Sequence, residues 1–177
     1  MQAELDRNTA LANRVASARE REAACVDDLT GVHLRGPGFV ELEREMARAR
    51  RTGRPLFLAF IDVDGLKATN DEHGHAAGDR VLLAVAATVR AQLRAYDLIF
   101  RYGGDEFVCV VSALTIADAA KRLALVNVAL AHTPERSSVT VGLAELLPDD
   151  SATDLVARAD AALYRERAAL RGGTSGG

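Results

Sequence analysis

A tight reversal limits the fold more than any other feature of this chain. Leu98–Arg101 and Phe107–Val111 are short apolar runs joined by Tyr102-Gly103-Gly104-Asp105-Glu106. Paired glycines between two strand-like runs signal a β-hairpin, because glycine reaches backbone angles that short reversals need. A hairpin joins antiparallel neighbours, so a purely parallel, doubly wound sheet is excluded. The flanking elements follow from periodicity. After Gly36-Pro37-Gly38, the residues Phe39, Leu42, Met46 and Ala49 give one helical face, closed by Gly53. Leu56–Ile61, bounded by Pro55 and Asp62, reads as a buried strand. A helix is expected over 78–94 with Leu82, Val85, Val89 and Leu93 inward, then a helix over 116–131, a strand over 138–144 and a helix over 153–170. This order fits an α/β or α+β fold, and no internal repeat is present.

The 177 residues suit one domain with a short extension. Residues 1–26 are rich in Ala, Arg and Glu and hold no Gly or Pro, so a helix is expected. Leu11, Val15, Ala18, Cys25 and Leu29 give a short heptad-like spacing, interrupted by Glu22. It suits either a dimerising coiled coil or a frayed helix on its own domain. The globular part is expected over 27–171, and 172–177 read as a flexible tail. With 22 basic against 25 acidic residues there is no basic excess for duplex nucleic acid. No apolar run reaches membrane-spanning length. The start, Met1 to Glu4, does not resemble a signal sequence, so a cytoplasmic location is expected. Cys25 and Cys109 lie far apart and read as small hydrophobes.

Two acidic clusters carry the chemistry. Asp62 and Asp64 follow an apolar strand, and Asp105 and Glu106 sit at the hairpin. Carboxylates at the ends of buried strands lose solvation and repel one another, unless a cation neutralises them. Mg²⁺ suits such a site, since it takes a few carboxylates and completes its shell with water and phosphate. If the strands are neighbours, Asp62, Asp105 and Glu106 converge, in an arrangement suited to two ions about 3.5–4 Å apart. Taken singly, either cluster is also what an ordinary Asp- and Gly-bearing surface loop looks like. Between them, Lys67 to Asp79 is dense in hydrogen-bonding side chains. His73 and His75 lack the helical spacing of a zinc pair. Asn and Asp together can read guanine, whose N1–H and N2–H₂ edge adenine lacks. Arg167 and Arg171 share one face of the last helix, suited to phosphate or simply to a solvated helix end.

These segments together resemble the GGDEF-domain diguanylate cyclases. The naming signature stands unbroken as Gly103-Gly104-Asp105-Glu106-Phe107 after Arg101-Tyr102. In the family's order come Asp28-Leu29-Thr30-Gly31, Ile61-Asp62-Val63-Asp64, Lys67 with Asn70-Asp71, Gly74-His75, Gly78-Asp79, Val139 to Gly142, and Ala159 to Tyr164. The resemblance implies a palm-like α+β fold, with a mainly antiparallel five-stranded sheet flanked by helices. It implies condensation of two GTP into cyclic di-GMP and two pyrophosphates with Mg²⁺ or Mn²⁺, two ions per active site. Asp62, the Val63 carbonyl and Asp105 are then metal ligands. Asp105 is also the candidate base for the ribose 3′-hydroxyl, and Glu106 supports metal and hydroxyl. Asn70 and Asp79 read guanine, with His75 on the substrate wall. Gly103 and Gly104 admit the phosphates, and Lys67, Arg167 and Arg171 are the triphosphate cations. Each domain holds one GTP, so a head-to-head homodimer is implied, with a sensor domain upstream. Arg94 and Asp97 match the RxxD motif that binds product and inhibits; alternatively they are a helix-end Arg and a loop Asp. The chain departs from the family at Leu34, Leu66, Thr140, Arg167 and Leu170, and a peripheral hairpin between Phe107 and Thr140 is expected to be missing. The alternative function is a catalytically weak module that binds GTP or cyclic di-GMP and regulates a partner.

Overall fold

The central strand dictates the layers. β2 (Phe57–Val63) is buried at all seven positions, and a strand buried on both faces needs a layer on each. The computed structural model describes residues 25–111 and 115–173. Around β2 they form β1 (His33–Leu34), α1 (Arg35–Thr52), α2 (Leu66–His73), α3 (His75–Gln92), β3 (Ile99–Arg101), β4 (Glu106–Val111), α4 (Ile116–Leu130), β5 (Val139–Glu145) and α5 (Ala152–Gly173). The sheet order is β1-β3-β4-β2-β5. Among the described residues only the β1–β3 pair is parallel. This is the mainly antiparallel, palm-like α+β sheet that the sequence implied, and β3 and β4 form the expected hairpin.

Alternation along the strands sorts the core into two. Phe57, Ala59, Ile61, Phe107, Cys109 and Val111 pack with Val81, Val85, Leu123 and Val126 of α3 and α4. Leu58, Phe60, Val108 and Val110 pack with Leu42 and Met46 of α1 and with Leu155, Ala159 and Leu163 of α5. Burial, with a smaller contribution from Asp97, pushes the Cys109 thiol up to about 12, so it acts as a small hydrophobe. On β5, a Cβ at Gly142 would stand 2.1 Å from the Ala159 carbonyl oxygen and 2.2 Å from the Leu163 nitrogen. Helix α5 therefore lies directly on β5, which fixes where Arg167, one turn beyond Leu163, emerges.

Several boundaries differ from expectation. β2 runs two residues beyond Ile61, because Asp62 continues the ladder opposite Glu106 and Thr140. The helix expected over 78–94 starts at His75 and is preceded by a separate α2, the two meeting at Gly74 with φ 80°. α3 stops at Gln92, so Arg94 lies in the following turn. The helix expected over 1–26 lies outside the described residues except for Cys25 and Val26; these are not helical, and Val26 bridges to His33. α5 continues through Gly172 and Gly173, which were expected in the tail, while 174–177 lie outside the described residues. Among the described residues no strand falls between β4 and β5, and no helix is long and apolar enough to cross a membrane.

Candidate active site

Strand register brings the acids together. Asp62 and Glu106 are direct cross-strand partners. By alternation they share the face of Phe60 and Val108, towards α5. The Val63 N–H donates to the Asp105 carbonyl at 3.0 Å, so the turn acid also arrives beside β2. Burial pushes the Asp62 carboxyl above the usual range, aided by Asp105 and Asp64, although the Arg167 hydrogen bond and charge oppose the rise. Glu106 is raised by burial and then by Asp62, Asp105 and Asp160, against Arg167. Anions crowded in this way fit a hard cation. Among the described residues, no three His, Cys, Asp or Glu side chains are grouped closely enough to hold an ion by themselves. The two strands thus supply a partial shell, of the kind that Mg²⁺ completes with water and phosphate.

The side chain that meets Asp62 is Arg167. It donates to Asp62 Oδ1 and lies 3.9 Å from Asp64 Oδ1. The resemblance makes Arg167 a triphosphate cation; the structure sets its guanidinium against Asp62. Asp64 has other partners, since the Ser138 and Thr140 hydroxyls each donate to it at 2.7 Å. The departure at Thr140 therefore keeps the hydroxyl that this contact uses.

The glycine turn is clamped from outside. Arg101 donates to the Gly103 carbonyl at 3.2 Å, the Gly104 carbonyl at 2.6 Å, and both Asp27 oxygens at 3.1 Å. Asp27 also accepts from the Thr30 N–H and hydroxyl. Burial alone would raise the Asp27 carboxyl, but the Thr30 bonds and the Arg101 charge hold it below its usual value. Arg101 and Asp27 are positioning residues that sequence reasoning left without a role; a pair so distant along the chain has no local periodic signal. Gly103 makes room for the acid itself, since a Cβ there would stand 2.4 Å from Glu106 Oε2, whereas Gly104 faces open space.

Asn70 and Asp79 meet the same helix corner. Asn70 Oδ1 is buried without a hydrogen-bond partner, and a Cβ on Gly78, the residue before Asp79, would sit 2.0 Å from it. Exposed His75 opens α3 and exposed Lys67 lies in the first turn of α2. Arg171 is exposed one turn beyond Arg167. Leu34 and Leu170 are also exposed, while Leu66 is buried in the core.

Away from this site, Arg94 and Asp97 share one turn, with the Arg94 N–H donating to Asp97 Oδ2 at 2.9 Å. The fully buried Asp97 carboxylate lies 3.6 Å from Arg122 of α4. The Arg94 guanidinium donates to the Tyr96 hydroxyl at 2.8 Å. They line a cavity of about 410 Å³ with Glu41, Glu45 and Arg90.

The model of the family described as diguanylate cyclase, GGDEF domain, matches residues 24–172. Diguanylate cyclase DgcP of Pseudomonas aeruginosa is 37% identical over 159 residues, covering 86% of this chain and 24% of that protein. Response regulator PleD of Caulobacter vibrioides is 33% identical over 165 residues, covering 88% of this chain and 36% of PleD. The chain thus spans about a quarter to a third of the length of these relatives. The coiled coil and GGDEF domain of DgcB from Caulobacter crescentus, solved in complex with c-di-GMP, superposes with a TM-score of 0.82 at 31% identity, covering 97% of this chain and 95% of that one. With the signature seated at the β3–β4 turn and the family model spanning most of the sequence, the chain belongs to the GGDEF-domain diguanylate cyclase family.

Proposed function

We propose that the chain condenses two GTP molecules into cyclic di-GMP and two pyrophosphates. The observation that carries this reading is the cross-strand pairing of Asp62 with Glu106, with Asp105 bonded through its carbonyl to Val63. Asp62, the Val63 carbonyl, Asp105 and Glu106 would hold Mg²⁺ or Mn²⁺, two ions per site. Bound there, the ions would neutralise phosphate charge and favour the attacking oxygen. Asp105 takes the proton of the ribose 3′-hydroxyl, the 3′-oxygen bonds to the α-phosphorus of the facing GTP, and pyrophosphate leaves; a second such step closes the ring.

Guanine is read at the α2–α3 corner. Asn70, whose Oδ1 is buried without a partner, would turn its amide outward to the guanine edge, with Asp79 accepting beside it and His75 on the wall. Lys67 and Arg171 face the triphosphate, and the open side of Gly104 lets a phosphate approach the backbone. Each domain holds one GTP, so catalysis takes a head-to-head homodimer, assisted by residues 1–26 and controlled by a sensor upstream. The GTP pool places the enzyme in the cytoplasm. The cavity at Arg94 and Asp97 receives the product and inhibits; the c-di-GMP in the DgcB structure supports product binding by such domains.

The Arg167–Asp62 pair favours a second reading, a weakly active module that binds nucleotide and regulates a partner. One experiment separates the two: purified protein, GTP and Mg²⁺, with products resolved by chromatography across protein concentration. A cyclase yields cyclic di-GMP with a rate steeper than linear in protein, and Asp105→Ala abolishes the product while the domain stays folded. Nucleotide binding without product, or near-normal turnover by Asp105→Ala, rejects the assignment.

A further inference from the structure

We propose that Arg167 is the resting counter-ion of the metal-binding carboxylate, and that an arriving triphosphate draws it off and so opens Asp62 to a divalent cation. This rests on the nucleotide and metal reading above. Three observations lead to it. First, among the described residues Arg167 bonds Asp62 and no hydroxyl does, whereas Asp64 is held by Ser138 and Thr140. The acid that Arg167 neutralises is therefore the one that a cation would use. Second, the two partners differ in freedom. The Asp62 side chain is 11% exposed and fixed in a central strand, while that of Arg167 is 33% exposed on a helix surface. Arg167 is the partner that can leave by rotation about its side-chain bonds. Third, the helix carrying it is pinned on β5 at Gly142, so the exchange needs no movement of α5.

The chemistry of the exchange follows from the guanidinium. Its planar fork fits a carboxylate and a phosphate equally well. Its charge beside Asp62 repels a divalent ion, and the two compete for one carboxylate. Metal alone must therefore bind against Arg167 or displace it without compensation. Nucleotide alone gains Arg167 but leaves Asp62 unneutralised. Each ligand removes the cost that the other faces, and linkage makes the effect mutual. A lysine would bridge the same groups only as a point charge, so the arginine at this position has a physical consequence.

Two calorimetric titrations test this on the full chain: Mn²⁺ into nucleotide-free protein, and a non-hydrolysable GTP analogue into protein in EDTA. Arg167→Gln is expected to bind Mn²⁺ about tenfold more tightly and the analogue about tenfold more weakly, changes of ~1.4 kcal/mol of opposite sign. Arg167→Lys should recover part of the analogue binding, with a Mn²⁺ affinity between the other two. A merely structural arginine would weaken both ligands on removal, and that result overturns the proposal, as does an unchanged Mn²⁺ affinity in Arg167→Gln. Wild-type protein that binds neither ligand, singly or together, overturns the functional reading itself.

Discussion

Gly103→Ala separates activity from stability at a single atom. The added Cβ would stand 2.4 Å from Glu106 Oε2, while ordinary contact begins near 3.4 Å, so the oxygen must retreat by about 1.0 Å. That oxygen is the far end of a flexible side chain. Gly103 is not among the glycines with positive φ. Backbone stiffening should contribute about 0.4–1 kcal/mol. An off-rotamer glutamate costs about 0.5–1.5 kcal/mol. Stability should thus stay within about 1 kcal/mol of the wild type, or roughly 2–4 °C in Tm. A catalytic group displaced by about 1 Å costs on the order of 100-fold in rate. Thermal melting and cyclic di-GMP production, measured on one preparation, give both values. Gly142→Ala is the contrasting control. Its Cβ meets backbone atoms of α5 at 2.1 and 2.2 Å that no side-chain rotation can clear. It should destabilise by about 3 kcal/mol, near the upper end for overpacking, which is roughly 6–12 °C. A Gly103→Ala protein with normal fold and a rate within threefold of wild type would refute the steric reasoning and the role of Glu106.

Two further outcomes follow from the site. Gly78→Ala would set a Cβ 2.0 Å from Asn70 Oδ1, so it should push the Asn70 amide aside and raise the KM for GTP about tenfold or more, with a smaller effect on kcat, read by steady-state kinetics. In metal-free protein, Asp62 and Glu106 have raised carboxyl values, so the folded state holds their protons more tightly than the unfolded state does. Their contribution to stability is lost as pH rises through those raised values towards neutral and regained as pH falls to the ordinary values of 3.8 and 4.5. Asp27 acts oppositely, contributing at neutral pH and losing that contribution below 3.8. Glu106→Gln should therefore raise the neutral-pH Tm of metal-free protein by roughly 1–2 °C, a few tenths of a kcal/mol after solvent screening. A lower Tm for that variant in EDTA would contradict the crowding of carboxylates.

Much of the fold was legible because burial imposes periodicity. The short apolar runs Leu98–Arg101 and Phe107–Val111 with the glycine pair between them located the hairpin, and Leu42, Met46 and Ala49 located the inner face of α1. Helix α2 escaped because Leu66 is its one buried residue, so Lys67–His73 shows no apolar stripe. The end of β2 escaped because a buried carboxylate, Asp62, reads as the end of an apolar run although its backbone continues the ladder. The acids were legible as a cluster from the two strand ends. The Arg101–Asp27 clamp and the Arg167–Asp62 pair were not, because each joins segments that only the folded sheet brings together. The resemblance and the guanidinium fork make Arg167 a phosphate cation; that it meets Asp62 depends on α5 crossing β5 at Gly142.

The most direct measurement is diffraction at the manganese edge from crystals grown with Mn²⁺ and a non-hydrolysable GTP analogue. An anomalous peak bounded by Asp62, the Val63 carbonyl and the Asp105–Glu106 turn, with guanine against Asn70 and Asp79, is the expected result. Nucleotide bound elsewhere, or these carboxylates turned apart with no anomalous density between them, would contradict it.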